Sequence, residues 1–193
     1  MRHRISRRSR LSLDLPAAIR HKQLRVAFQP IVDLDEGRVI GAEALARWRH
    51  PDLGEVSPVD FVGIAEELGL GTDLGVCVLE ESVAWLMEAL REGVVSEDFG
   101  LHVNASARQL HDPRFVEMLE AAAAIPGMRR HGLVIEITET VLVERPDEIT
   151  RIMERLVAAG VDFALDDFGT GWSSLSHLRR FPVRCLKIDR SFT

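Results

Sequence analysis

Short apolar runs alternate with amphipathic segments through the second half of the chain. Four runs have the length and composition of strands: FGLHVNAS, LVIEITET, VDFALDDFG and CLKIDRSF. The segments between them follow a helical pattern: DPRFVEMLEAAAA, PDEITRIMERLVAAG and SSLSHLRRF. Because strands that alternate with helices pair in parallel through right-handed crossovers, this pattern predicts an α/β fold.

The first half of the chain has a different order of elements. RVAFQPIVDL and RVIGAEALARW have strand patterns, and a short turn at residues 35–37 joins them, which predicts a first strand antiparallel to the second. A short helix capped by Asp14 precedes these strands. Two further helices are expected, over residues 58–69 and from about residue 72 to Arg91.

Within each predicted strand, an apolar face alternates with a face that becomes polar towards the carboxyl end. In LVIEITE, Leu133, Ile135 and Ile137 share the apolar face, whereas Glu136 lies on the other. Such an inner polar face is typical of a (β/α) barrel, whose active site lies at the carboxyl ends of its strands. A doubly wound open sheet would instead bury both faces. We therefore predict a TIM-like barrel of which about six of eight strands are present.

The composition favours one domain with a basic start. The chain has 193 residues, 46% of them hydrophobic and 28% charged, as in ordinary globular domains. Five arginines lie in MRHRISRRSR, so we expect residues 1–13 to be a solvated basic lead-in and residues 14–193 to be the barrel domain.

Charge and cysteine usage limit the partners and the location. The net charge of −6 argues against binding to a nucleic-acid polymer, and the sequence has no apolar stretch long enough for a membrane segment. Cys77 and Cys185 lie far apart and in no ligand spacing. This fits a reducing cytoplasm with both thiols as small core residues.

Polar side chains of the predicted inner face collect at the carboxyl ends of the strands. They are Glu43, Asn104, Glu136, Asp166 and Lys187, with Asp167 on the adjoining turn. Converging carboxylates repel one another unless they share cations, and oxygen ligands without a cysteine or histidine cluster favour Mg²⁺ or Mn²⁺ over zinc. Two such ions are the usual means of attacking a phosphodiester. Asp166 and Asp167 could then serve both ions, and Lys187 could hold the attacking water or a phosphate oxygen.

Several of these residues also have a structural interpretation. Glu43 could pair with Arg47, and Asn104 could cap the following helix. Glu139 is interpreted as a hydrogen-bond acceptor that fixes a loop, and His102, which also faces inwards, as a core histidine with satisfied hydrogen bonds. The coincidence of five inner polar residues at matching strand ends favours the functional interpretation.

Six motifs in order then suggest a family. EALARW, FQPIVDL, HVNASARQL, EITET, DDFGTGWSSL and LKIDRSF together resemble the EAL-domain family, bacterial phosphodiesterases that open cyclic di-GMP to linear pGpG. The resemblance covers the chain from about Leu24 to Phe192. Trp172, where tyrosine is frequent, is a mild departure.

The resemblance implies roles for individual residues. The implied ligands of the first metal are Glu43, Asn104, Glu136 and Asp166, and those of the second are Asp166 and Asp167. Glu43, Lys187 and Asp167 would be the catalytic residues, with Lys187 orienting the hydrolytic water. Gln29 and Arg47 would contact the nucleotide, and Glu139 would support the DDFGTG loop.

The resemblance also implies partners and a departure from the family pattern. The segment after Asp167 could form a homodimer surface, and a sensory or diguanylate-cyclase domain could lie upstream. The family's seventh-strand glutamate and eighth-strand glutamine have no counterpart, so we expect a domain truncated after the sixth strand that lacks part of the second metal site. The alternatives are a non-catalytic cyclic di-GMP receptor or interaction scaffold, and a different metal-dependent barrel hydrolase.

Overall fold

A computed structural model describes residues 2–128, 132–169 and 178–192. One seven-stranded sheet forms the centre of this part of the chain. Its strands are β1 (Leu24–Val32), β2 (Val39–His50), β3 (Gly54–Val56), β4 (Gly100–Asn104), β5 (Leu133–Thr138), β6 (Val161–Phe168) and β7 (Cys185–Ile188). All six predicted strands are present, and the sequence missed β3, a short strand that forms a hairpin with the end of β2.

The sheet has the order β1-β2-β4-β5-β6-β7, with β3 paired to β2. As predicted, β1 runs antiparallel to β2. The pairs β2 with β4, β4 with β5, β5 with β6, and β6 with β7 are all parallel. The α/β prediction is therefore confirmed, and within the described residues the sheet stays open between β1 and β7.

Seven α-helices are described. They are α1 (Arg2–Arg20), α2 (Pro58–Glu67), α3 (Gly71–Arg91), α4 (Ala107–Leu110), α5 (Pro113–Ala123), α6 (Glu139–Val143) and α7 (Pro146–Ala159), and a 3₁₀ turn follows at Arg190–Phe192. Proline opens α2, α5 and α7, where its missing N–H would have no partner in the helix. Gly160 in the left-handed region ends α7. Within the described ranges, no helix is long and apolar enough to span a membrane.

The first helix begins earlier than predicted. α1 starts at Arg2 rather than after Asp14, so it crosses the expected boundary between lead-in and barrel domain. Residues 7–10 are exposed, but Leu11 and Leu15 are buried in the core, because the apolar stripe of this helix starts before Asp14. Asp14 does not begin a helix here; it accepts hydrogen bonds from Arg10 and His50.

The apolar face of the sheet packs under the helices, as the alternation predicted. Leu133, Ile135 and Ile137 of β5 are at most 1% exposed. At β7 the expectation fails, because this strand is the edge of the described sheet. Leu186 and Ile188 are 41% and 62% exposed. Cys185, expected in the core, is exposed as well, and Cys77 is only partly buried.

Part of the loop after β6 lies outside the described residues. This concerns residues 170–177, which include Trp172, most of the helix predicted in SSLSHLRRF and most of the segment assigned to a homodimer.

Candidate active site

Five parallel strands bring the predicted polar residues to one end of the sheet. Asn104 at the end of β4 pairs in register with Glu136 of β5, and Thr138 of β5 pairs with Asp166 of β6. Glu43 comes from β2 and Lys187 from β7. Because parallel strands end at the same edge, residues distant in sequence meet there.

Three carboxylates form the centre of this cluster. Glu43, Glu136 and Asp166 each offer an oxygen, and these oxygens lie within 4.8 Å of one another. The side chain of Glu136 is fully buried, whereas those of Glu43 and Asp166 are 17% and 22% exposed. Carboxylates this close repel one another unless cations or hydrogen-bond donors compensate their charge.

The ammonium of Lys187 lies among the three carboxylates. Its Nζ is 2.6 Å from Oε2 of Glu136, 2.9 Å from Oε2 of Glu43 and 3.4 Å from Oδ1 of Asp166. Burial by itself lowers the pKa of Lys187, but the hydrogen bonds to Glu136 and Glu43 outweigh it and raise the pKa above its usual value. The carboxylates around it therefore favour the charged form of Lys187.

Asn104 and His102 complete the cluster. Nδ2 of Asn104 donates to Oε1 of Glu43 over 2.8 Å, so the amide of Asn104 contacts the carboxylate cluster. The helix cap considered for Asn104 is provided by Ser106 instead. Nδ1 of His102 lies 2.9 Å from Oε1 of Glu136. Glu43 accepts hydrogen bonds from Lys187 and Asn104. Arg47, which was considered as its partner, instead donates to the carbonyl oxygen of Ala46.

Asp167 is not one of the three carboxylates whose oxygens gather in the described part of the chain. It is exposed and has φ +54°, at a point where the register between β6 and β7 shifts between Leu165 and Phe168. Such an irregularity re-aims a side chain relative to the regular alternation of a strand. Although the residue is exposed, some desolvation of its carboxyl group, together with the nearby carboxylates of Asp166 and Asp189, raises the pKa of Asp167. A ligand role for Asp167 stays a prediction.

The loop after β6 is held by Glu139. Its Oε1 accepts a hydrogen bond of 3.0 Å from the backbone N–H of Gly169, and its side chain is buried. Gly169 has φ +105° and packs so closely on Phe192 that a Cβ would lie 2.7 Å from the ring. Glu139 thus contacts the loop that the sequence assigned to it.

A cavity of about 640 Å³, within the size range of ligand pockets, opens at this end of the sheet, and of the three carboxylates Glu136 lines it. Its lining includes Leu45, Arg47, Asn104, Glu136 and Thr138. Gln29 is the register partner of Glu43 across β1 and β2, so it lies on the same face of the sheet, and it is exposed. Both residues predicted to contact a nucleotide therefore lie on the site side of the sheet.

The donor set fits a hard divalent cation. The gathered ligand atoms are carboxylate oxygens, and Mg²⁺ and Mn²⁺ prefer such ligands. The cluster of Glu43, Glu136 and Asp166 carries more negative charge than Lys187 alone balances. A divalent cation would supply the remaining positive charge.

Comparison with known proteins gives the family. The EAL-domain model matches residues 12–193, nearly the whole chain. This chain belongs to the EAL-domain family. The resemblance drawn from the six motifs is therefore confirmed.

Among curated EAL relatives, MucR of Pseudomonas aeruginosa is described as a bifunctional diguanylate cyclase/cyclic di-GMP phosphodiesterase. It is 38% identical over 179 residues, which cover 93% of this chain and 26% of MucR. PdeI of Escherichia coli, described as a probable cyclic di-GMP phosphodiesterase, is 34% identical over 171 residues, or 89% of this chain and 22% of PdeI. The chain thus spans about a quarter of these relatives.

Solved EAL structures support the same fold. The MucR phosphodiesterase in complex with c-di-GMP has a TM-score of 0.87 and 38% identity, covering 95% of this chain and 73% of that one. The EAL domain of FimX from Pseudomonas aeruginosa, bound to c-di-GMP, has a TM-score of 0.81 and 26% identity, covering 94% and 72%. A TIM-like barrel architecture follows for this EAL domain.

The contact between His102 and Glu136 was not predicted from the sequence. His102 was interpreted as a core histidine, but it contacts the buried carboxylate of Glu136. The alternation did place His102 on the inner face, two residues before Asn104. Its contact with Glu136 depends on how β4 and β5 are aligned, which the alternation within one strand does not specify.

Proposed function

We propose that this EAL domain binds cyclic di-GMP and hydrolyses it to linear pGpG with the help of Mg²⁺ or Mn²⁺. The observation that carries the proposal is the cluster of Glu43, Glu136 and Asp166, whose oxygens lie within 4.8 Å of one another, with Glu136 lining a cavity of about 640 Å³. The descriptions of MucR and PdeI support the choice of substrate.

The metal ligands proposed are the carboxylates of Glu43, Glu136 and Asp166 and the amide oxygen of Asn104. Asp167 is proposed as a ligand of a second ion, together with Asp166. A bound divalent cation lowers the pKa of water and stabilises the negative charge that develops at phosphorus.

The chain's own cations act on the substrate oxygens. Because hydrogen bonds to Glu136 and Glu43 keep Lys187 protonated, we propose that it donates to the attacking water or to a phosphate oxygen. Arg47 lines the cavity, where its guanidinium can pair with a phosphate, and Gln29 contacts the nucleotide from β1. Glu139 holds the loop after Asp167 through Gly169. In the reaction, water adds to one phosphorus, the bond from phosphorus to the 3′ oxygen breaks, and that oxygen takes up a proton.

The test measures binding and turnover separately. Calorimetry with cyclic di-GMP, with Mn²⁺ and with EDTA, gives the affinity, and chromatography of the reaction gives pGpG. Metal-dependent production of pGpG supports the phosphodiesterase. Binding without turnover supports the receptor, and cleavage of generic phosphodiesters but not of cyclic di-GMP supports a different hydrolase. A chain that neither binds nor cleaves cyclic di-GMP contradicts the proposal.

We also propose a cytoplasmic location, an upstream domain in the same protein and a homodimer. The free thiols of Cys77 and Cys185 support a reducing compartment. The bifunctional description of MucR supports a diguanylate-cyclase or sensory domain upstream, which the gene sequence can test. A homodimer through the segment after Asp167 is tested by light scattering on the purified chain.

A further inference from the structure

His102 lies directly below the carboxylate cluster. It is on β4, two residues before Asn104, and its register partner on β2 is Glu43. Nδ1 of His102 is 2.9 Å from Oε1 of Glu136, whose side chain is fully buried, whereas that of His102 is 15% exposed. An ionised carboxylate only accepts hydrogen bonds, so we assign the proton to Nδ1 of His102.

The two oxygens of Glu136 have different donors. Oε1 accepts from His102, and Oε2 accepts from Nζ of Lys187 over 2.6 Å. One donor on each oxygen fixes both the rotation and the direction of the carboxylate. Each oxygen can accept more than one bond, so Glu136 can still bind a cation while both donors are in place.

Gly100 lies two residues before His102, on the same face of β4. A Cβ on Gly100 would lie 3.5 Å from Nε2 of His102, and a Cβ on Gly41 would lie 2.6 Å from the carbonyl oxygen of Gly100. A side chain on Gly100 would therefore be in ordinary van der Waals contact with the ring, and one on Gly41 would clash with the backbone of β4. The ring is held by its hydrogen bond to Glu136.

We propose that His102 is a positioning residue that holds the carboxylate of Glu136 in the orientation in which it binds the divalent cation. This inference rests on the metal centre of the proposed function. Hydrogen-bond partners of metal ligands orient those ligands, and their loss weakens metal binding by about 10- to 100-fold.

Two substitutions separate this role from simple packing. His102→Leu fills a similar space but removes the donor, and we expect the Mn²⁺ dissociation constant to rise about tenfold. His102→Asn keeps an N–H near the position of Nδ1, and we expect it to restore most of the Mn²⁺ affinity. His21→Leu, on the exposed turn after α1, is the matched control and leaves the affinity unchanged.

Mn²⁺ binding is measured by electron paramagnetic resonance on the full chain without nucleotide, and urea unfolding is measured for each variant. Tenfold weaker binding in His102→Leu with recovery in His102→Asn supports the role. Unchanged affinity in His102→Leu overturns it, and so does equal weakening in both variants, because the hydrogen bond would not be the cause. If the unsubstituted chain binds no Mn²⁺, the metal centre and this role both fail. Failure to bind or cleave cyclic di-GMP, with Mn²⁺ binding intact, contradicts only the nucleotide proposal.

Discussion

Replacing Lys187 with methionine removes the ammonium that lies among the carboxylates of Glu43, Glu136 and Asp166. The nearest oxygens are 2.6 and 2.9 Å from Nζ, and the side chain of Glu136 has no exposure to water that could compensate the loss. Breaking a buried ion pair by removing one partner costs about 3 to 5 kcal/mol. Because Lys187 is 28% exposed, we expect Lys187→Met to lower the free energy of unfolding by about 3 kcal/mol, the lower end of that range.

The assay is urea unfolding followed by tryptophan fluorescence, with EDTA present. Lys22→Met is the matched control, because Lys22 and Glu80 form an exposed pair with side chains 74% and 45% exposed. Such pairs contribute about 0 to 1 kcal/mol. Adding Glu136→Gln to Lys187→Met should recover part of the loss, since the amide needs no positive partner.

The metal provides a second check on the same substitution. Mn²⁺ at about 100 times its dissociation constant stabilises a protein that binds it only when folded by about 2.7 kcal/mol. We expect Mn²⁺ to stabilise Lys187→Met at least as much as the unsubstituted chain, because a cation then replaces the missing ammonium. A loss in EDTA no larger than that of Lys22→Met, or no recovery with Glu136→Gln, would refute the electrostatic reasoning.

Three further predictions follow from single contacts. Because the pKa of Lys187 is raised, its contribution to stability is complete below about pH 10.5, the usual pKa of lysine. Above that pH, the difference in unfolding free energy between the unsubstituted chain and Lys187→Met should shrink, and a difference that grows would contradict this. Because the pKa of Asp167 is raised, its ionised form lowers the stability of the folded chain. Asparagine tolerates the φ of +54° at this position, so thermal unfolding of Asp167→Asn should show a gain of about 0.5 kcal/mol or less at pH 7 and no gain well below pH 3.8. A loss of stability at pH 7 would contradict this prediction. His50→Leu removes a buried ring that contacts Asp14 over 3.0 Å and accepts hydrogen bonds from two backbone N–H groups. Urea unfolding should therefore show a loss of about 2 kcal/mol in the free energy of unfolding, and an unchanged midpoint would contradict this.

The alternation of side chains determined much of the site in advance. A strand directs every second residue to the same face, so Glu136 and Lys187 could be assigned to the inner face from their own strands. Parallel pairing then places the polar ends of all such strands together. This information is local, and the sequence therefore predicted the six main strands and the inner set of polar residues.

The limits of the sequence appear where a residue depends on a partner far along the chain. The sequence assigned Lys187 to water or phosphate, and only the tertiary structure places its ammonium among carboxylates from β2, β5 and β6. The contact between His102 and Glu136 depends on the alignment of β4 with β5.

Local alternation also fails where the backbone departs from a regular strand. For Asp166 and Asp167 the sequence predicted a pair serving two ions. The structure gathers Asp166 with Glu43 and Glu136, whereas Asp167 lies at a bulge with positive φ. The residue types and their two-residue period determined which side chains could contribute to a site. Strand alignment and the bulge, which arise from packing between distant segments, decided which of them meet.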